Sequence, residues 1–269
     1  MIELLLIGIG TGNPEHLTLQ AVRALNSADL VLIPRKGPDK ANLADLRRTI
    51  CAEVLTNPAA RIIEFDLPRR DKENPSYAQG VDDWHDAIAE VWSRTIRAAL
   101  ADTLAGSPHE NAATVALLVW GDPALYDSSL RIAARLTPAP KVRVIPGITS
   151  IQALTAAHAI PLNDIGAPFL VTTGRQLRDF GWPASADTLV VMLDGDCAFQ
   201  NLDPEGVTIW WAAYAGMPGE IRLSGSLAEA GPRIQAVRAE ARAKHGWIMD
   251  IYVLRRQARN GDRSDTQFH

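Results

Sequence analysis

Cysteine is nearly missing from this chain: Cys51 and Cys197 are the only two in 269 residues, far apart and not in a C-x-x-C pair. That removes a disulfide framework and a cysteine-based metal site, and two lone thiols fit a reducing cytoplasm. Long apolar runs are missing too. "LLLIGIG" and "ATVALLVW" are strand length, well short of the roughly 20 residues that cross a bilayer, so no membrane segment is expected. The start, Met1-Ile2-Glu3, is acidic where a signal peptide would be basic, and its apolar run has no small-residue cleavage site; it is expected to be part of the fold. There is no strong charge of either sign. A net charge of -4 argues against nucleic acid as the main partner while permitting a local basic pocket. Also lacking are a G-x-S-x-G elbow, a Walker loop and an H-E-x-x-H pair, so neither a hydrolase triad nor a zinc protease is expected.

What is present is a globular composition, 47% hydrophobic and 22% charged, at a length that suits one or two domains. The strand-like "ELLLIGI" leads through glycines to a helix over roughly 18–26, with Leu19, Val22 and Leu25 on its apolar face, and "DLVLIP" reads as the next strand. "ATVALLVW" is a continuous β-rich run of the kind buried on both faces. It passes through Gly121-Asp122-Pro123 to a helix expected over 126–136, returns as "KVRVI", and enters another helix over roughly 149–159. Strands alternating with helices imply parallel pairing with right-handed crossovers.

Between these units lies the polar stretch "DLPRRDKENPSYAQGVDDW", whose residues 67–80 are read as a surface insertion, with a lid as the other possibility. Trp84, Ile88, Val91, Trp92, Thr95, Ile96, Ala99 and Leu100 then recur at helical spacing and predict a long helix with one buried face. Past "IPLNDIGAPF" four strand-like runs follow, "PFLVTTG", "DTLVVMLDG", "VTIWWAAY" and "WIMDIYVL", with a helix over roughly 227–244. A domain boundary is expected near Asp164 to Gly166, giving α/β domains over 1–164 and 165–258 and a polar tail over 259–269.

"LLIGIGTGNPEHLT" raises the question of a dinucleotide loop. The dinucleotide fingerprint is G-x-G-x-x-G with a helix starting directly beneath the pyrophosphate and an acid after the second strand. Here Gly8, Gly10 and Gly12 read G-x-G-x-G, Pro14 delays the helix, and Asp29 precedes the second strand instead of following it. A tight strand exit with Thr18 as helix cap is the competing reading. Gly121-Asp122 and Pro146-Gly147 repeat the glycine turn after two further strands, and three such turns at one sheet edge point to a common site.

Taken together, "IGIGTGNPEHLTLQAVRALNSADLVLIP", "WGDPALYD", "VIPGITSIQAL" and "HAIPLN" resemble the tetrapyrrole methylases, which methylate precorrins with S-adenosylmethionine. The resemblance covers most of the chain in order. "IPRKG", "WGDPALYDSSLRI", "VTTGRQL" and "VVMLDG" are similar to one branch of that family, which methylates carbon 1 of precorrin-5 and releases acetate in aerobic cobalamin synthesis. The resemblance implies two α/β domains with the active site in a trough between them, S-adenosylmethionine as methyl donor, a small-molecule tetrapyrrole substrate, and a homodimer. It implicates Thr11, Gly121, Asp122, Leu125, Thr149 and Ser150 in donor binding, with Leu193, Tyr214 and Ala215 from the second domain. The chain departs from the common family loop at Thr11 and Asn13, so position 13 offers no carboxylate.

Methyl transfer from a sulfonium is an in-line displacement in which the protein mainly orients the partners. His158, in an alanine-rich helix, is read as a core or helix-end residue. Releasing acetate needs water at an acyl carbon, and a general base helps; Asp127 and Asp194, with Asp196 beside them, are the candidate carboxylates. A polycarboxylate substrate calls for cations, and Arg35, Lys36 and Arg175, with Arg178 less favoured, follow predicted strands. The other readings are a methylase for another precorrin position, a nicotinamide oxidoreductase, and a tetrapyrrole binder without turnover.

Overall fold

The computed structural model describes residues 2–35, 41–71, 75–104 and 113–256. Lys36 and the polar tail lie outside these residues, as does part of the 67–80 insertion. The chain forms two compact units, Met1–Ser150 and Ile151–His269.

In the first unit the order is β1 (Ile2–Gly8), α1 (Leu19–Asn26), β2 (Leu30–Arg35), α2 (Ala41–Val54), β3 (Arg61–Asp66), α3 (Tyr77–Leu104), β4 (Ala113–Val119), α4 (Ser129–Ala133) and β5 (Lys141–Ile145). The sheet runs β3-β2-β4-β1-β5, and every pair is parallel. The apolar runs are continuous because both faces are covered. Leu4, Leu6, Leu32, Val115 and Leu117 pack against Ile88, Trp92 and Ile96 of α3. Their neighbours Leu5, Ile7, Val31, Ala116 and Leu118 pack on the opposite side against Ala21, Leu25, Ile50 and Cys51. Strand alternation and the 3.6-residue helical period thus meet in two cores.

The second unit takes in α5 (Ser150–His158), whose first residue lies at the division, then β6 (Phe169–Thr173), α6 (Gly174–Phe180), β7 (Thr188–Met192), β8 (Val207–Ala213), β9 (Ile221–Ser226), α7 (Leu227–His245) and β10 (Asp250–Arg256). Its sheet order is β6-β7-β10-β8-β9. Only β6 and β7 are parallel; the remaining pairs are antiparallel. Leu189, Val191, Ile209, Trp211 and Tyr252 form its core with Phe199, Leu227 and Ile234.

The division falls earlier than the expected boundary near Asp164. The helix α5 is tied to the second unit: His158 Nε2 lies 3.0 Å from the Trp211 carbonyl, and Arg222 donates to the Ala157 carbonyl. The helix expected over 126–136 is shortened to α4, because residues 122–125 form a turn (Leu125 N to Asp122 O, 3.1 Å) and Tyr126 has φ +50°. Strands β3 and β9 and helices α2 and α6 have no counterpart among the elements expected from sequence. β9 exposes alternate residues as an edge strand, and α6 is only 7 residues long.

Candidate functional site

At the carboxyl edge of the first sheet the exits of β1, β4 and β5 interlock through their backbones. Gly10 and Gly121 form an antiparallel bridge, with Gly121 N donating to Gly10 O at 2.7 Å and Gly10 N to Gly121 O at 3.3 Å. A Cβ on Gly8 would lie 2.6 Å from Gly147 N and 2.7 Å from Gly121 O. One on Gly147 would overlap the Gly121 carbonyl. Gly8 and Gly147 are therefore needed for three backbones to approach one another. Gly121 differs: at φ +61° its missing side chain would meet nothing nearer than Thr149 Cα at 3.9 Å, so its backbone has an open side.

Asp122 holds two of these exits together. Its Oδ1 accepts from Ala124 N at 2.8 Å and its Oδ2 from Gly147 N at 3.0 Å, so one carboxylate closes its own turn and pins the turn after β5. Thr11 Oγ1 lies 3.1 Å from His16 Nδ1. Asn13 accepts from Glu15 N at 3.0 Å and opens a 3-10 turn over Pro14–His16, after which Thr18 accepts from Ala21 N at 3.0 Å and caps α1. The helix thus begins late, as Pro14 implied. Asp29 lies at the amino edge of the sheet, where its carboxylate accepts from Thr114 N at 2.7 Å. Neither feature suits a dinucleotide.

In the second sheet β6, β7 and β8 run in one direction, each of the last two being antiparallel to β10, so their exits share an edge. Leu193 follows β7 at φ +53°, 67% exposed. Tyr214 follows β8, also at φ +53°; it and Ala215 are buried, and its hydroxyl donates to the Trp247 carbonyl at 2.6 Å. Left-handed backbone at a residue with a side chain costs about 1 kcal/mol or more. Leu193 and Tyr214 carry it directly after β7 and β8, and Tyr126 carries it in the segment between β4 and α4.

The candidate carboxylates and cations have distinct surroundings. Asp127 Oδ1 accepts from Ser129 N at 2.6 Å, ahead of α4. The Asp194 carboxylate is buried and accepts from Asp196 N at 3.0 Å, Ala198 N at 2.6 Å and the Tyr252 hydroxyl at 2.6 Å. It packs so closely beneath Gly174 that a Cβ there would overlap it. Burial, with the Asp194 charge alongside, pushes the Tyr252 hydroxyl well above its usual range. Asp196 pairs with Arg178 at 3.1 Å. Arg35, half exposed at the end of β2, forms a two-pronged pair with Asp66 at 3.0 and 2.9 Å. Arg175 is exposed on α6.

Sequence reasoning missed Arg47, a buried arginine on α2 whose guanidinium lies over the Trp120 ring. No motif marks it; the available signal was Pro34 inside a predicted strand.

The model for the tetrapyrrole (corrin/porphyrin) methylases matches residues 3–231. The chain belongs to the tetrapyrrole methylase family. It is 48% identical to a precorrin-6A synthase [deacetylating] from Sinorhizobium sp over 262 residues, 96% of this chain and 97% of that one. A precorrin-2 C(20)-methyltransferase, also from Sinorhizobium sp, is 32% identical over 160 residues, covering 58% of this chain and 59% of that one. Among solved structures, a cobalamin synthesis related protein (CobF) from Corynebacterium diphtheriae superposes with a TM-score of 0.76 at 36% identity, covering 95% of this chain and 99% of that one. As a methylase, the chain has its three glycine-bearing turns at a single sheet edge, and among the described residues no group of three or more His, Cys, Asp or Glu could hold a metal ion.

Proposed function

We propose that this methylase transfers the methyl of S-adenosylmethionine to carbon 1 of precorrin-5 and releases acetate, giving precorrin-6A in aerobic cobalamin synthesis. The supporting observation is the near full-length match to a deacetylating precorrin-6A synthase, which runs through both units. The C(20)-methyltransferase match covers little more than half of the chain.

The residues present fit the donor. Gly121 has an open backbone side bordered by Thr149, and Leu193 exposes an apolar side chain at a strand exit. We assign donor contacts to Thr11, Gly121, Leu125, Thr149 and Ser150, and to Leu193, Tyr214 and Ala215. Asp122 positions the turns after β4 and β5 that carry Gly121, Leu125 and Thr149, because both its oxygens are engaged by backbone N–H groups. S-adenosylmethionine supplies an electrophilic methyl whose carbon–sulfur bond breaks as the new carbon–carbon bond forms.

Acetate release requires water to add to the acyl carbon; the acyl bond breaks and its electron pair passes to the macrocycle. Asp127 is our candidate to take the water's proton, since its Oδ2 makes no hydrogen bond among the described residues. Asp194, held by three donors, is assigned to the loop it closes. A homodimer working in the cytoplasm completes the reading; the family resemblance and two buried, unpaired cysteines support it.

Incubation with precorrin-5 and S-adenosylmethionine tests the assignment. One acetate per methyl transferred is expected, with Asp127→Asn slowing turnover by about 100-fold. A methylated product without acetate would reassign the chain to another precorrin position.

A further inference from the structure

Arg47 is a buried cation that has no carboxylate within ion-pair distance among the described residues. The Val119 carbonyl turns toward β1, where it accepts from Ile9 N at 2.9 Å, so the Leu118 carbonyl turns toward β2. The β2–β4 register runs Leu30↔Val115, Val31↔Ala116, Leu32↔Leu117 and stops there. Continued, it would bring Pro34 N to the Leu118 carbonyl, and proline has no N–H to give. The ladder therefore opens at the carboxyl edge, and Arg47 enters from α2. Its Nε donates to the orphaned Leu118 carbonyl at 3.1 Å, its Nη1 to the Leu43 carbonyl at 3.2 Å, and its guanidinium carbon lies 4.7 Å from the Trp120 ring centroid.

The Arg47 Nη2 makes no hydrogen bond among the described residues, and no described carboxylate comes within ion-pair distance. Arg35 and Arg48, nearby on the same side of the unit, are paired with Asp66 and Glu64. Arg47 is 7% exposed, and a buried charge without a partner is costly. Burial outweighs the through-space attraction of Asp127 and pulls the Arg47 guanidinium down to about 10.

We propose that Arg47 Nη2 receives a carboxylate of the tetrapyrrole substrate, end-on, in the opening between β2 and β4. The proposal rests on the reading of the chain as a tetrapyrrole methylase. A carboxylate there adds a counter-charge in direct contact, closer than Asp127, with a charge-assisted hydrogen bond. The two backbone carbonyls and the Trp120 face fix the guanidinium plane in advance, so little side-chain freedom is lost on binding.

Equilibrium titration with uroporphyrin III, an octacarboxylate tetrapyrrole, tests this alongside titration with S-adenosylhomocysteine and a melting curve for each protein. Arg47→Gln keeps an amide donor for the Leu118 carbonyl and removes the charge. It is expected to weaken porphyrin binding about tenfold, the loss of one charge-assisted hydrogen bond, with S-adenosylhomocysteine affinity within about twofold of wild type. Arg47→Lys, which keeps the charge, is expected to fall between them and serves if the Gln variant does not fold. Unchanged porphyrin affinity in Arg47→Gln, a parallel loss of both ligands, or no porphyrin binding by the wild type would overturn the proposal. Wild type that binds porphyrin but not S-adenosylhomocysteine would overturn the methylase activity instead, leaving the porphyrin comparison to decide the role of Arg47.

Discussion

Asp122 shows how one side chain can matter to a ligand it need not touch. Its two oxygens accept backbone N–H groups from two different turns, the second 25 residues away. Asp122→Ala leaves both donors unpaired, and hydrogen bonds to a charged acceptor are worth about 1.5–3 kcal/mol each. We expect calorimetry to show S-adenosylhomocysteine affinity falling at least about tenfold, with Asp122→Asn intermediate because its single amide oxygen cannot replace both acceptors. Asp194 belongs to the opposite case. Its three donors and its fit beneath Gly174 predict a structural loss: Asp194→Ala should lower unfolding free energy by about 3 kcal/mol or more, measured by urea denaturation. Tyr252→Phe removes one of those donors and should cost about 1–2 kcal/mol. Asp122 was legible as a turn residue from Gly-Asp-Pro, but its reach to Gly147 was not, because a bond between two strand exits leaves no local spacing in the chain.

Among the elements, α3 was the most legible, since Ile88, Trp92, Ile96 and Ala99 repeat the helical period and all four are buried. That stripe also carries His85, buried one turn before Ile88, with Nε2 lacking a partner among the described residues. Burial lowers its pKa below the usual 6.5, reinforced by Arg135 and Arg131 of the neighbouring α4 segment and opposed by Asp82 and Asp86 on its own helix. A depressed histidine adds stability that is fully present above about pH 6.5 and is lost as the pH falls through the lower folded value. Melting curves should therefore show stability declining as the pH falls below 6.5, and His85→Phe should flatten that slope. The lowered carboxylates Glu64 and Asp82, held by Arg48 and Arg135, titrate below their usual 4.5 and 3.8 and act at more acid pH. Helix α2 was not legible. Its apolar residues make a weak stripe, and half of what it does, the placing of Arg47, depends on a gap in the sheet beneath it.

At the scale of the whole molecule, the described residues form two separate cores in the first unit and one in the second. The nicotinamide reading makes a clear prediction against the methylase reading: saturating S-adenosylhomocysteine should raise the melting temperature and NAD should not. A ligand at 100 times its Kd adds about 2.7 kcal/mol to stability, which a thermal-shift measurement resolves easily. A shift with NAD alone would favour the oxidoreductase. The physical grounds against it were already present in the sequence, since Pro14 delays α1 and Asp29 precedes β2, and the structure places both as that order requires.

By itself the sequence determined whatever depends on near neighbours along the chain: the doubly buried strands, the long helix, the capped start of α1, and three glycine turns following three strands. Those features follow from side-chain alternation, helical period and the backbone freedom of glycine. Tertiary structure alone decided which glycines pack and which one stays open, that α5 joins the second unit, and that Asp194 closes a loop. It also decided that an arginine 71 residues from Leu118 fills the place of the amide Pro34 lacks. These depend on strand order and register, which bring distant residues within a few ångströms of one another, and no local pattern encodes a distance of that kind.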